Sequence, residues 1–399
     1  MRFLRRKIAI IIVLAYAIFS LYAAYSVFFN KRVISRVHRV VKKGSAIIDN
    51  GKAGEEEWNP WEEDERAYSL SLQKRRDAFR SYQDHAAKNR PKTYKVQIWG
   101  KAAIGLYLWE HILEGPLNPP DKSSQWREGD IPSGKINFSF YTGPAVVQGH
   151  VSLDTDSVVL VLNGREQQKI SSSLQWLQHV QGLVQMRSVS RVAVVLLGNE
   201  QCNNDWISPY LKRHGGFVDL LFLVYDSPWI NDKDIFQWPL GVATGISMLK
   251  TQNGMEKDCL VHVREKWLPQ ETADTSRQYQ MALAQSDLTL SPVGVNTECY
   301  RIYEACAYGS VPVVEDVLTP GACAVGNRSP LRLLKDAGAP FIFLKDWREL
   351  PAILERERGM NQKEKTERRM RLLEWYSGFR QQMKDKFTEV LEDAFFKIT

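Results

Sequence analysis

The sequence predicts an α/β protein of two Rossmann-like domains facing a cleft, preceded by one N-terminal transmembrane helix and a stem. Three observations predict it. An uncharged apolar run lies near the amino end. Beyond Val96, short aliphatic runs alternate with amphipathic stretches, the pattern of strands and helices over a parallel sheet. The length of 399 residues suits two domains of about 150 residues each plus accessory segments.

The apolar run Ile8 to Phe29 has 22 residues without charge, Pro or Gly, enough at about 1.5 Å per residue to cross about 30 Å of hydrocarbon. It is longer than the core of a cleaved signal peptide and ends in aromatics, so it predicts an anchor. Basic residues flank it on both sides, so the charge pattern leaves orientation open. The length of the following chain and the sequons Asn137-Phe-Ser139 and Asn327-Arg-Ser329 predict a cytosolic tail at 1–7 and a luminal remainder glycosylated at Asn137 and Asn327. Residues 30–95 are polar, with acids at Glu55 to Glu57 and Glu62 to Glu65 around Trp58-Asn-Pro-Trp61, and predict a stem.

The formal charge of +7 is concentrated at the amino end, where residues 1–48 carry ten Lys and Arg and no acid. The remainder has 43 basic and 46 acidic residues. A slightly acidic folded region lacks the basic face that phosphate binding along a nucleic acid needs, so no nucleic-acid partner is expected. The five cysteines, Cys202, Cys259, Cys299, Cys306 and Cys323, form no CxxC. A zinc site is not expected, one cysteine at least has no partner within the chain, and disulfide pairing is open. Cys299 and Cys306 are expected on one helix face as core thiols.

Val158 to Asn163, Arg191 to Leu197 and Val218 to Tyr225 are continuous apolar runs, as in strands covered on both faces, with a helix from Ser171 to Met186. They form the first domain, 96–244. The second, 245–399, is expected to hold strands at Cys259 to Val263, Asp287 to Leu290, Val311 to Val314 and Phe341 to Leu344. Helices at Ser276 to Gln285 and Thr297 to Tyr308 lie among them, and a long helix from Gln362 to Phe396 follows. Two such domains with ligands at the carboxyl ends of the strands match the GT-B arrangement of sugar transferases.

Pro292 to Val314 carries the chemistry. Pro292 and Gly294 turn the chain so that Asn296 or Thr297 can cap the next helix, whose free N–H groups and dipole suit a diphosphate. Arg301, about one turn into that helix, offers a cation to phosphate. Glu304, three residues on, can accept hydrogen bonds from ribose or sugar hydroxyls, and Gly309 ends the helix. Gly294, Asn296, Thr297, Arg301 and Glu304 are the expected donor-binding residues.

Pro-x-Gly, Arg-x-x-Glu-Ala and Gly-x-x-Pro-Val-Val in this segment resemble the donor motif of exostosin-like GT-B enzymes. With Glu57 to Glu62, Gln97 to His111, Tyr225 to Asp232 and Phe236 to Thr244, the chain resembles the ribitol-5-phosphate xylosyltransferases over nearly its whole length. The resemblance implies a type II enzyme of the Golgi membrane that transfers xylose from UDP-xylose. The acceptor it implies is the ribitol-phosphate unit on the O-mannosyl glycan of α-dystroglycan, and the working partners are fukutin and fukutin-related protein. It implies no bound cofactor and no metal. The family pattern places several tens of residues after Gly241-Val-Ala-Thr244, including the first strand of the donor domain, where this chain continues directly to Gly245-Ile-Ser-Met. The alternative function is therefore a catalytically impaired isoform that acts as a Golgi scaffold for other glycosyltransferases.

Inverting transfer needs a base for the attacking hydroxyl. Asp226, ending a strand before a Ser227-Pro228 turn expected to expose it, leads over Glu200, Asp232 and His111. A GT-A enzyme uses Asp-x-Asp to hold a divalent cation on the diphosphate. Asp154-Thr-Asp156 precedes its strand and Asp232-Lys-Asp234 lies well past one, so both read as chance matches.

Overall fold

The computed structural model describes Gln73 and residues 93–100, 103–119, 126–143, 151, 153–243, 272–324 and 330–397. The chain divides into two compact units, Met1–Asn89 and Arg90–Thr399. The expected anchor at 8–29, the stem up to residue 92 apart from Gln73, the strand at Cys259 to Val263, the Thr244–Gly245 junction and Asn327 lie outside the described residues. Among the described residues no helix is long and apolar enough to cross a membrane.

The first sheet comprises β1 (Tyr94–Gly100), β2 (Arg127–Ser133), β3 (Ile136–Thr142), β4 (Ser157–Asn163), β5 (Arg191–Leu197), β6 (Leu220–Val224) and β7 (Ile235–Trp238). Its seven strands run in the order β2-β3-β1-β4-β5-β6-β7. All pairs are parallel except β2 with β3. β1 is followed by α1 (Ala103–Leu106), which widens into a π-helical stretch over Tyr107–Ile112. Between β4 and β5 lies α2 (Gln167–Gln185).

Alternation explains the unbroken apolar runs. Val159 and Val161 of β4, with Ala193, Val195 and Leu197 of β5, enter one core. Val158, Leu160, Leu162, Val192, Val194 and Leu196 enter the other, against Trp176, Leu177 and Val180 of α2. Successive strand side chains point to opposite faces, so strands covered twice must be apolar throughout.

The second sheet contains β8 (Leu288–Ser291), β9 (Val311–Glu315) and β10 (Ile342–Leu344), all parallel in the order β10-β9-β8. Among the described residues it has three strands. Its helices are α3 (Ala273–Gln285), α4 (Tyr300–Tyr308), α5 (Arg332–Asp336), α6 (Leu350–Gly359) and the 35-residue α7 (Gln362–Phe396).

Helix α7 serves both sheets. Its buried residues Leu372, Tyr376, Phe379, Met383, Phe387, Leu391 and Phe395 recur every three or four positions, one stripe of a helix. Phe387 lies 5.7 Å from Phe138, 5.0 Å from Phe222 and 5.4 Å from Trp238, ring to ring. Arg369 donates to the carbonyls of Ala284 (2.6 Å), Ser286 (2.9 Å) and Tyr308 (3.2 Å), so one guanidinium caps the ends of α3 and α4. Arg380 does the same for His111 at 2.8 Å.

Candidate active site

The loop after β6, strand β7, the turn after β8 and the stretch between β9 and α5 surround a cleft. Asp226, Gln237, Asn296, Thr297, Glu298, Thr319 and Cys323 are among the residues lining it. The carboxyl ends of parallel strands are where α/β sheets place ligands.

The turn after β8 departs from its predicted role. Helix α4 begins at Tyr300, and its N-cap is Cys299 in extended conformation with no side-chain cap. Neither Asn296 nor Thr297 caps it. Asn296 accepts from the Glu298 amide (2.9 Å) and donates to the Glu200 carbonyl (2.9 Å). Thr297 is buried and donates to the Val317 carbonyl (2.7 Å). Both side chains therefore brace neighbouring loops. Gly294 is exposed and a side chain there would meet nothing within 4 Å. Cys299 precedes the helix as a half-buried free thiol, so only Cys306 is a core thiol of α4.

Arg301 is the second helical residue and not one turn inside, which leaves it exposed beside the helix's first amides. No partner holds it among the described residues. Glu304 points the other way. It is 5% exposed and accepts from the Tyr279 hydroxyl (2.7 Å) and the Ala243 amide (3.2 Å). The expected pairing of Arg301 and Glu304 on one open face is thus replaced by a cation in solvent and a carboxylate in the core, because α4 is buried on every side from Ile302 to Tyr308 and only its first turn reaches solvent.

Asp226 does line the cleft, but it is not exposed by its turn. Its side chain is 10% exposed and accepts from the Arg332 guanidinium at 3.0 and 3.1 Å. That two-pronged pair raises the Arg332 pKa and neutralises the carboxylate. Glu200 is paired with Arg165, whose guanidinium also lies 6.0 Å from the centre of the Tyr300 ring. Asp232 meets Lys386 at 3.5 Å, and His111 lies against the Tyr107 ring at 5.6 Å. None of these three lines the cleft.

Two residues that sequence reasoning missed do. Glu298 is 7% exposed, and both the Leu240 amide (2.9 Å) and the Tyr303 hydroxyl (2.5 Å) donate to its Oε1. Burial pushes its carboxyl up to about 7 against the pull of those two hydrogen bonds, and the nearby Asp226 adds to the rise. Gln237, on β7, is 4% exposed and reaches the same cleft. The sequence held a signal for each. Gln237 interrupts an apolar strand, and Glu298 follows Asn296 and Thr297 directly.

Glu298 and Glu304 share a second task. Their Oε1 atoms receive the amides of Leu240 and Ala243, so the segment leaving β7 is held at two points by the residues around the start of α4. Between them Gly241 takes φ +75°, and a Cβ there would lie 2.2 Å from the Tyr107 ring.

Cys202 and Cys323 form a disulfide across 121 residues of sequence, joining the loop after β5 to the wall of the cleft. The Ala322 amide reinforces it by donating to the Gln201 carbonyl at 2.9 Å. The Asp-x-Asp pairs have structural partners. Asp154 accepts from Gln97 and Lys95, Asp156 from Ser157 and Ser190, and Asp234 from Arg213 and Asn231. Among the described residues no group of three or more His, Cys, Asp or Glu is placed to hold a metal. Asn137 is exposed on β3.

Family models described as the RXYLT1 N-terminal domain and the RXYLT1 C-terminal domain match residues 96–239 and 243–396. A Danio rerio protein named ribitol-5-phosphate xylosyltransferase 1 is 80% identical over 434 aligned positions that cover the whole of both chains. The alignment is 35 positions longer than the 399 residues here, so the relative has internal residues that this chain lacks. Proteins of the same name from Homo sapiens and Mus musculus are 49% and 48% identical, with 99% of each chain covered. The chain therefore belongs to the ribitol-5-phosphate xylosyltransferase 1 family.

Proposed function

We propose that the chain transfers xylose from UDP-xylose to a ribitol-5-phosphate unit, with the diphosphate held at the start of α4. The observation that carries this reading is the exposed Arg301, with no ion pair among the described residues, in the first turn of a helix whose N-cap makes no side-chain hydrogen bond. The positive end of the helix dipole and a guanidinium together suit the charge that develops on a departing diphosphate. The names of the relatives support the sugar and the acceptor.

In this reading the enzyme is of GT-B type, with an acceptor domain at 96–244 and a donor domain at 245–399. It is anchored by residues 8–29 in the Golgi membrane as a type II protein, with glycans at Asn137 and Asn327. Its acceptor is the ribitol-phosphate glycan of α-dystroglycan, and fukutin and fukutin-related protein work beside it. The 22-residue apolar run and the Cys202–Cys323 disulfide, which suits an oxidising lumen, support that location. The reading requires no divalent cation, so transfer is expected to survive EDTA.

Titration calorimetry of the chain with UDP tests the reading. Binding that Arg301→Ala abolishes is the expected outcome. The 35 positions lacking relative to the zebrafish protein favour a second reading, a non-catalytic Golgi scaffold. Absence of UDP binding by the unmodified chain selects the scaffold.

A further inference from the structure

Several polar groups of the cleft keep hydrogen-bonding capacity that no partner among the described residues uses. Both donors to Glu298 sit on Oε1, leaving Oε2 without a partner among the described residues. The Gln237 amide and the Thr319 hydroxyl, 4% and 8% exposed, also lack side-chain partners there. All three residues line the same cleft. Polar groups that open onto a cleft from otherwise buried side chains suit a ligand rich in hydroxyls, since each hydroxyl both donates and accepts.

Asp226, the other acid on this wall, is already bound to Arg332 through both its oxygens. Glu298 is different. Its Oε1 is fixed from two directions and its Oε2 is left for a proton.

We propose that Glu298 takes the proton of the attacking acceptor hydroxyl, while Gln237 holds the polyhydroxylated acceptor chain beside it. The proposal rests on the transfer reading above. The acceptor oxygen bonds to the anomeric carbon of xylose, and the bond from that carbon to the diphosphate breaks with its electron pair leaving on UDP. The hydroxyl proton passes to Glu298 Oε2 and from there to solvent. A carboxyl whose burial raises it to about 7 is half ionised near neutrality, where a general base works well. The titratable and charged groups facing it are Asp226 and Tyr225 after β6, Tyr107 of the π-helical stretch, Tyr303 of α4, and Arg332 of α5 through Asp226.

Hydroxyl-rich chemistry is common to the acceptor and to the donor's own sugar, so the test separates them. The full chain and its Glu298→Gln and Gln237→Leu variants are compared by calorimetry with UDP and UDP-xylose, and by transfer kinetics with ribitol 5-phosphate as acceptor. Glu298→Gln is expected to bind both nucleotides unchanged, to lower kcat about 10² to 10⁴-fold, and to remove the acid limb of the pH profile. Gln237→Leu is expected to raise the acceptor KM about tenfold, the scale of one buried hydrogen bond, with nucleotide affinities intact.

A Glu298→Gln variant with normal kcat, or with an unmoved acid limb, overturns the base assignment. Loss of UDP-xylose affinity with UDP affinity kept, in either variant, assigns the cleft to the donor sugar and overturns the proposal. A parent chain that binds no UDP fails at the transfer reading itself, a result visible before any variant is made.

Discussion

In the seven-stranded sheet each parallel interior strand feeds two cores, whereas the three-stranded sheet has a small core of its own, built on Val313, Leu344 and Ile353. Leu290 on β8 is 38% exposed. The residues around α4 instead join the larger core of the first sheet, through Ile302, Tyr303, Cys306 and Tyr308. The first region is thus stabilised by area, which is distributed and tolerant. The second depends on discrete ties, each of which one substitution removes.

The sharpest way to break this contrast is Phe387→Ala, which deletes a ring touching Phe138, Phe222 and Trp238. A loss of about 3 to 5 kcal/mol is expected in denaturant titration. A much smaller loss would show that α7 is not integral to the first core. Removing the disulfide by Cys202→Ser with Cys323→Ser should cost about 2 to 4 kcal/mol. Hydrogen exchange should then rise first in β8 to β10, and a uniform rise would erase the distinction between the regions.

Acidity gives a third test. Burial raises Glu298 from 4.5 to about 7, so the folded state holds a proton there that the unfolded chain has released. Stability is therefore greatest below about pH 4.5 as far as this group is concerned, and falls as pH rises to about 7. The change is on the order of 3 kcal/mol. Melts at pH 5 and pH 8 should show this fall in the parent and its absence in Glu298→Gln. Parallel curves would mean that another group titrates.

Arg369→Met leaves the carbonyls of Ala284, Ser286 and Tyr308 without their cap. About 2 kcal/mol is expected, read as a shift in denaturation midpoint. Arg301→Ala should change stability by less than about 0.5 kcal/mol, since the side chain is exposed and makes no ion pair among the described residues. A larger thermal shift would give Arg301 a structural part and weaken its reading as a phosphate ligand.

The first sheet was largely legible in the sequence because period-two burial on both faces leaves uninterrupted aliphatic runs. Arg191 to Leu197 is a strand with those same bounds, and α7 spans Gln362 to Phe396 as its stripe requires. The start of α4 was not legible. Asn296 and Thr297 have the chemistry of caps, but cap geometry depends on where the chain turns, and tertiary bonds to Glu200 and Val317 claimed both side chains. Asp226 was placed correctly at a strand end, yet its partner Arg332 lies 106 residues away, beyond any local pattern. Gln237 and Glu298 belong together only because β7 and the turn after β8 meet in space.

The reach of α7 has a consequence for how the chain is made. Tyr94 opens the first strand and its ring stacks on Phe396 at 4.0 Å, near the far end of the last helix. During synthesis the strands of the first sheet emerge long before the helix that closes one of their faces, so that face stays uncovered until nearly the whole chain has left the ribosome. A stop codon or frameshift anywhere before Leu372 leaves the buried stripe of α7 untranslated. Late truncations should therefore be as harmful to this protein as early ones, cleared by quality control although every residue around the cleft has already been translated.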